Sequence, residues 1–184
     1  MALTKSKMVE LGSAAPEFSL VDTVSGKVFT LPEAGSCKGV LVMFICNHCP
    51  YVKHVADQLA SIGRDYANTG LEIFAISSND INEYPQDGPE LMRQEALNRA
   101  YHFPYLFDDS QSVAKDFGAV CTPDFFLYDS QLKLAYRGQL DDSSPGNGIE
   151  VTGKDLRAAI EAVIEGVTPS SVQNPSMGCN IKWR

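Results

Sequence analysis

The sequence is short of positive charge and has no long apolar run. It contains 15 Lys and Arg residues against 23 Asp and Glu, a net charge of −8 at pH 7. A chain with this balance has no basic footprint for a phosphate backbone, so we set nucleic-acid binding aside. No run is long enough to span a bilayer, and the first residues lack the apolar segment of a secretory signal. We therefore expect a cytoplasmic protein that does not bind membranes.

Cysteine is too sparse for a disulfide scaffold. The five cysteines, at positions 37, 46, 49, 121 and 179, are an odd number in 184 residues. In a chain without a secretory signal, such cysteines indicate catalytic, redox or metal-binding chemistry. With 44% hydrophobic and 21% charged residues, the sequence predicts a single globular domain over residues 1–184, with irregular termini at 1–12 and 169–184.

A βαβ unit is predicted in the first half of the chain. Residues 40–45 and 71–76 are largely apolar runs, typical of strands buried on both faces of a sheet. Between them, apolar side chains recur with helical spacing from residue 52 to residue 62. Strand, helix and strand in this order predict two parallel, central strands joined by a right-handed crossover.

Two antiparallel hairpins complete the predicted sheet. Their strands are residues 16–20 with 28–31, and residues 125–128 with 132–137, each pair flanking a short turn. A closing helix follows a surface loop at residues 141–148, whose side chains Asp141 and Asp142 we expect to be solvated. The fold class is therefore α/β, with a central mixed β-sheet flanked by helices.

Two cysteines stand where the first predicted helix begins. If Cys46 were the N-cap, Pro50 would fall at the fourth helical position, where its missing N–H and its ring disrupt the first turn. With Cys49 as the N-cap, Pro50 falls at the first helical position, where proline is favoured. A sulfur at the N-cap faces unpaired backbone N–H groups and the positive end of the helix dipole, and both favour thiolate. Cys49 is therefore the candidate nucleophile, with Lys53, His48 and His54 as possible nearby positive charges.

Three motifs carry a resemblance to a known superfamily. They are residues 44–53 (Phe-Ile-Cys-Asn-His-Cys-Pro-Tyr-Val-Lys), 121–124 (Cys-Thr-Pro-Asp) and 175–183 (Pro-Ser-Met-Gly-Cys-Asn-Ile-Lys-Trp). Together with the βαβ start and residues 14–20 (Ala-Ala-Pro-Glu-Phe-Ser-Leu), they resemble the thioredoxin-like superfamily. Within it they look like the peroxiredoxin-like branch, the alkyl hydroperoxide reductases and thiol-specific antioxidants. This resemblance implies a thioredoxin-like fold with an N-terminal β-hairpin extension and an irregular C-terminal tail.

The resemblance also implies an activity. It predicts a thiol-based oxidoreductase that uses Cys49 to reduce a disulfide-containing protein or a peroxide, with no cofactor and no metal. A thiol reductant such as a thioredoxin would regenerate the enzyme, which would be a monomer or a homodimer. In the family the proline that matches Pro123 is cis and lies against the nucleophile, which would bring Cys121 and Thr122 close to Cys49. We expect Thr122, Pro123 and His48 to contact the substrate.

The sequence departs from the family pattern at the nucleophile. A thioredoxin helix laid on residues 50–59 places its first cysteine at Cys49 and its second at Val52, so the Cys-x-x-Cys of this chain is shifted back by three residues. The threonine that peroxiredoxins place before their reactive cysteine is replaced by Cys46. The buried carboxylate that thioredoxins carry in the preceding strand has no counterpart, because that strand is apolar.

The disulfide partner of Cys49 is not determined by the sequence. Cys46 is the first candidate, but an extended Cys-x-x-Cys segment spans roughly 10 Å between Cα atoms and a disulfide needs less than about 7 Å, so residues 47–48 must turn. Asn favours turns, which makes this pairing feasible. Cys121, beside the predicted cis proline, is the second candidate. Cys179 is the third.

Three other functions are open for these side chains. Cys46 and Cys49 could be buried structural cysteines, since cysteine is among the most buried residue types. Cys46, His48, Cys49 and His54 could bind zinc, although no second Cys-x-x-Cys or spaced pair of histidines follows them. A thioredoxin-like module could also bind a partner beside Pro123 without catalysis. Turnover with a dithiol reductant would separate an enzyme from such a module.

Overall fold

Residues 3–184, the part of the chain that the computed structural model describes, form ten strands and four helices. The strands are β1 (Leu3–Lys5), β2 (Ser19–Asp22), β3 (Val28–Thr30), β4 (Gly39–Phe44), β5 (Leu71–Ser77), β6 (Tyr105–Phe107), β7 (Cys121–Thr122), β8 (Asp124–Asp129), β9 (Leu134–Gly138) and β10 (Met177–Asn180). The helices are α1 (Pro50–Asp65), α2 (Pro89–Asn98), α3 (Ser112–Phe117) and α4 (Lys154–Ile164), and a 3₁₀ turn covers Pro85–Asp87. None of these helices has the length and apolar character that crossing a membrane requires.

The predicted parallel strands lie at the centre of a seven-stranded sheet of order β3-β2-β6-β5-β4-β8-β9. β4 pairs parallel with β5, with Gly39 opposite Leu71 and Phe44 opposite Ile76. β8 pairs antiparallel with both β4 and β9, and β2 pairs antiparallel with β3. The mixed sheet, the N-terminal hairpin and the second hairpin are therefore confirmed.

The strand that leads to the cysteines is buried on both faces because each face of the sheet carries its own hydrophobic core. Leu41 and Met43 belong to one core, which β4 shares with α1 and α4. Val40, Val42 and Phe44 belong to the other core, which includes side chains of α3. Successive residues of a strand point to opposite faces, so a strand between two cores needs apolar residues at every position.

The two ends of the chain are less irregular than the sequence indicates. β1 pairs antiparallel with β10, with Leu3 opposite Cys179. β10 also pairs antiparallel with β7, with Cys179 opposite Thr122, to give a second sheet of order β1-β10-β7. Strands of two to four residues carry no readable periodicity. β1, β7 and β10 are strands because segments that are distant in the sequence pair with one another.

The loop before α4 is only partly solvated. Asp142 is exposed, as predicted, but Asp141 is 5% exposed, so the prediction was wrong for that side chain. The Asp141 carboxylate accepts hydrogen bonds from the backbone N–H groups of Thr152 (2.7 Å), Gly153 (2.6 Å) and Ser143 (2.8 Å). It thereby satisfies donors at the start of α4 that would otherwise lack partners.

Candidate active site

The turn at residues 46–49 lies where β4 ends and α1 begins. Cys49 is the N-cap of α1 and Pro50 is its first residue, as the preference of proline for that position predicts. The Cys49 backbone is extended, with φ −67° and ψ 125°, and its carbonyl oxygen accepts from the N–H of Lys53 at 3.0 Å. Cys46 is 2% exposed and Cys49 is fully buried. Both thiols therefore lie at the positive end of the α1 dipole, largely shielded from water.

The surroundings of the Cys49 sulfur favour its thiolate. Sγ lies 2.7 Å from Sγ of Cys179 and 3.2 Å from the carbonyl oxygen of Thr122, to which the thiol form donates. The Cys46 thiol, the Cys179 thiol and the backbone N–H groups of Val52 and Cys179 lower the pKa of Cys49 to about 5, although burial alone raises it. Most Cys49 side chains are thus ionised at neutral pH, and the thiolate is the nucleophilic form of cysteine.

Cys46 has the opposite electrostatic environment. Its sulfur lies 3.3 Å from Oγ1 of Thr122. Burial, followed by the hydrogen bond to Cys49 and the negative charges of Asp87 and Cys49, raises the pKa of Cys46 well above its ordinary value. Cys46 is therefore a neutral thiol next to a thiolate, and it can donate its S–H to the charged sulfur.

Cys179 enters the site from the opposite end of the chain. It lies on β10, and the neighbouring Gly178 packs so closely on β7 that a Cβ atom there would overlap the carbonyl group of Thr122. Burial and the adjacent Cys49 raise the pKa of Cys179 to about 12. The sequence showed the cysteine but nothing about its position, because β10 has no pattern that relates it to α1.

The peptide bond between Thr122 and Pro123 is cis, as the resemblance implies. Thr122 touches both cysteines of the turn, Cys46 through its hydroxyl and Cys49 through its carbonyl oxygen. Cys121 donates instead to the carbonyl oxygen of Pro123, at 3.8 Å, and burial raises its pKa. Side chains alternate along a strand, so in β7 it is Thr122 that faces the two thiols.

A buried carboxylate that sequence reasoning missed holds the turn between the cysteines. Asp87 ends the 3₁₀ turn after β5 and is fully buried. Its Oδ1 accepts from the backbone N–H groups of Asn47 (2.8 Å) and His48 (3.2 Å), and its Oδ2 accepts from Nδ2 of Asn79 at 2.8 Å. β4 itself has no carboxylate, as predicted. The sequence offered one clue to the position of Asp87. This residue lies in the loop that follows β5, and the carboxyl ends of the parallel strands β4 and β5 meet at the same edge of the sheet.

His48 is held between Asp87 and an aromatic ring. Its Nδ1 lies 2.5 Å from Oδ2 of Asp87, and its ring stacks on Tyr84 with 4.7 Å between the ring centroids. Its Nε2 is buried and has no hydrogen-bond partner among the described residues, and the same is true of Nε2 of His54. Each of these nitrogens therefore has a hydrogen-bonding position that no described residue fills.

One group of described residues has the spacing of metal ligands. One ligand atom each from Cys46, His48 and Asp87 lies within 4.8 Å of the others. Two of the four zinc-ligand candidates from the sequence, Cys46 and His48, are thus brought together, with Asp87 as the third member. A metal would bind the Cys46 thiolate, and the raised pKa of Cys46 opposes this ionisation.

The chain matches known proteins over most of its length. The AhpC/TSA family model matches residues 11–137. An uncharacterized conserved protein from Geobacillus kaustophilus is 48% identical in sequence and superposes with a TM-score of 0.96, covering 100% of this chain and 97% of that one. Thiol-disulfide oxidoreductase ResA from Bacillus thuringiensis subsp. konkukian (strain 97-27) is 23% identical over 166 residues, 90% of this chain and 83% of the relative.

The fold is shared with more distant structures. The thioredoxin domain of a thiol-disulfide oxidoreductase from Bacteroides vulgatus superposes with a TM-score of 0.57 at 20% identity, covering 71% of this chain and 91% of that chain. The structure is therefore a thioredoxin-like domain of the peroxiredoxin-like kind. Because the family match spans more than half of the sequence and the fold agrees with it, this chain belongs to the AhpC/TSA family.

Proposed function

We propose that the protein is a thiol-based oxidoreductase in which the Cys49 thiolate attacks an oxidised substrate, either a disulfide or a peroxide. The observation that carries the proposal is the group of hydrogen-bond donors around Cys49 Sγ, which lowers its pKa to about 5. Membership of the AhpC/TSA family and the likeness to a thiol-disulfide oxidoreductase support oxidoreductase chemistry in general. The assignment of Cys49 as the nucleophile rests on the contacts that its sulfur makes in this structure.

The attack is the same for both substrates. With a disulfide, the bond between the substrate sulfurs breaks, a mixed disulfide with Cys49 forms, and one substrate thiolate leaves and takes up a proton. With a peroxide, the thiolate attacks one peroxide oxygen, the O–O bond breaks, Cys49 becomes a sulfenic acid, and the departing hydroxide or alkoxide takes up a proton and leaves as water or an alcohol. A thiol reductant, such as a thioredoxin, later supplies the two electrons that restore Cys49.

The substrate approaches Cys49 beside the cis proline. A cavity of about 140 Å³ lies there, lined in part by Tyr51, His54 and Pro123. Thr122 and Pro123 would contact the substrate from one side, and the unpartnered Nε2 of His48 would bind it within the site. Cys49 has no surface exposed to solvent, so any substrate needs a local opening. A peroxide needs the smallest opening, and we expect it to react faster than a protein disulfide.

Single cysteine variants test the proposal. We expect Cys49→Ser to lower dithiothreitol-dependent reduction of hydrogen peroxide and of insulin by roughly two orders of magnitude or more, because a serine hydroxyl is not ionised at neutral pH. Cys37→Ser is the matched control, because Cys37 packs against the core on the other face of the sheet and should leave activity unchanged. A Cys49→Ser protein with full activity would refute the mechanism. Absence of turnover with both oxidants in the unmodified protein would favour a non-catalytic binding module.

A further inference from the structure

We infer that Cys179 is the resolving thiol of this site and forms a reversible disulfide with Cys49. The inference rests on the proposed function, since it concerns the step after the attack by Cys49. The sulfurs of the two residues are 2.7 Å apart, against a covalent S–S length of about 2.05 Å. Bond formation therefore needs only a small approach of two side chains that already touch.

The backbone around Cys179 holds this thiol in place. Cys179 is opposite Thr122 in the β10–β7 pair, and Gly178 lets the two backbones approach more closely than any residue with a Cβ atom would. On one side of this contact, the hydroxyl of Ser176 donates to the carbonyl oxygen of Pro123 at 2.8 Å. On the other side, the N–H of Ile181 donates to the carbonyl oxygen of Val120 at 3.0 Å. The segment is thus anchored to the cis-proline strand on both sides of the cysteine.

The other two candidate thiols have different contacts. Cys46 lies 3.3 Å from the Thr122 hydroxyl, and its thiol lowers the pKa of Cys49, so it acts as a hydrogen-bond donor to the thiolate. Cys121 donates to the carbonyl oxygen of Pro123 at 3.8 Å. Neither of these two contacts is with the Cys49 sulfur, whereas Sγ of Cys179 lies 2.7 Å from it. Cys46 also hydrogen-bonds to Cys49, but as the donor that most strongly stabilises the attacking thiolate, so Cys179 is the neighbouring thiol that is left to resolve the oxidised form.

In the resolving step, Cys49 and Cys179 together supply two electrons to the substrate. In the mixed disulfide the Cys179 sulfur attacks Sγ of Cys49, the bond between Cys49 and the substrate breaks, and the Cys179 proton passes to the departing substrate thiolate. The substrate disulfide is thereby reduced to two thiols, and Cys49 and Cys179 are oxidised to one disulfide. After peroxide attack, the same sulfur displaces the hydroxyl of the Cys49 sulfenic acid, and the hydroxyl leaves as water with the Cys179 proton.

Burial and the neighbouring Cys49 thiolate together set the order in which the two thiols attack. In the reduced site, burial first and then the hydrogen bond and charge of Cys49 keep the pKa of Cys179 near 12, so Cys179 does not compete as a nucleophile. Once Cys49 has bonded to the substrate, its negative charge is gone. The part of the raised Cys179 pKa that comes from Cys49 is then removed, while the larger part that comes from burial remains, so Cys179 ionises more readily after Cys49 has reacted than before.

Disulfide mapping tests the inference in the unmodified protein. The full chain is oxidised with a stoichiometric amount of hydrogen peroxide, its remaining thiols are alkylated, and it is digested with trypsin. Cleavage after Lys and Arg places both cysteines of the turn in peptide 39–53, Cys121 in peptide 116–133 and Cys179 in peptide 158–182. We expect peptides 39–53 and 158–182 to be cross-linked, with fragmentation locating the bond at Cys49. A bond within peptide 39–53, or one to peptide 116–133, as the main product would overturn the inference.

Two variants separate this inference from the proposed function. After treatment with oxidised glutathione, the Cys179→Ser protein should contain roughly ten times as much of the glutathione adduct of Cys49 as the unmodified protein does, or more. In the variant, no adjacent thiol displaces glutathione from Cys49. Cys46→Ser should keep the cross-link to Cys179 and accumulate little adduct. If Cys49→Ser is inactive while Cys179→Ser turns over normally and accumulates no adduct, the proposed function stands and the inference fails. If Cys49→Ser is active, the proposed function fails as well.

Discussion

The sulfurs of Cys49 and Cys179 lie 2.7 Å apart although 130 residues separate them in sequence. Cys49 is the N-cap of α1, and Cys179 lies beyond residues 11–137, the part that matches the AhpC/TSA family model. The candidate site at residues 46–49 is thus completed by a C-terminal strand outside the matched region. The approach of these two thiols and their ionisation both depend on a few neighbouring residues, each of which can be changed singly.

Removal of the Cys46 thiol should raise the pKa of Cys49. That thiol is the largest of the influences that hold the pKa near 5, so Cys46→Ala should move the midpoint up by roughly one pH unit or more, a change of about 1.4 kcal/mol per unit. The midpoint is measured from the pH dependence of iodoacetamide alkylation and of thiolate absorbance. Cys46→Ser keeps a hydroxyl donor and should show a smaller rise. An unchanged midpoint in Cys46→Ala would contradict this role.

A side chain at Gly178 should separate β10 from β7. A Cβ atom there would overlap the Thr122 carbonyl, so Gly178→Ala should lower the free energy of unfolding by about 1–3 kcal/mol and reduce the yield of the Cys49–Cys179 disulfide. Val172→Ala is the control, because Val172 is 85% exposed in the same C-terminal segment. Chemical denaturation and tryptic mapping measure the two effects. Stability and cross-link yield that match the control would show that the close approach is not needed.

The Asp87 carboxylate should stabilise the turn between the cysteines. Asp87→Ala leaves the part-buried backbone N–H groups of Asn47 and His48 and the buried Nδ2 of Asn79 without their acceptor, and a buried, unpaired donor costs about 1–3 kcal/mol. We therefore expect a loss of at least about 2 kcal/mol in the free energy of unfolding, measured by urea denaturation. Asp57→Ala removes an exposed ion pair with Arg99 and should change stability by less than about 1 kcal/mol. Equal effects of the two substitutions would rule out this function for Asp87.

Asp141 should make stability depend on pH through the start of α4. Burial alone raises its pKa, but hydrogen bonds from Ser143, Gly153 and Thr152 outweigh it and lower the pKa below the ordinary value of 3.8. A carboxyl group whose pKa is lower in the folded state stabilises the fold above its unfolded pKa, and this stabilisation is lost as the pH falls through the folded value. Asp141→Ala should therefore cost about 0.5–2 kcal/mol at neutral pH and less in acid.

The exposed neighbour Asp142 provides the control for that experiment. Asp142→Ala removes surface contacts with Lys154 and Gln139, where both partners are solvated, and should have a small effect at every pH. Thermal unfolding of both variants between neutral pH and pH about 3 measures the difference. A cost of Asp141→Ala that is the same at both ends of this range would contradict the lowered pKa.

The sequence alone determined the local features of this protein. Residues 40–44 lie in a buried strand because every one of them is apolar. Pro50 sets the start of α1 because proline fits the first helical position and disrupts the fourth. These two facts place Cys49 at the N-cap. The cis Thr122–Pro123 bond was also predicted correctly, but from the family resemblance rather than from the residues.

Only the tertiary structure decided what surrounds Cys49. Asp87 reaches the turn through a loop after the neighbouring strand, and Cys179 reaches it through a strand of four residues. Periodicity and capping describe contacts between residues close in sequence, whereas these two contacts depend on how separate segments pack. The ionisation of the three thiols was undetermined for the same reason. It depends on burial and on the distances between sulfurs and donors, which exist only once the chain has folded.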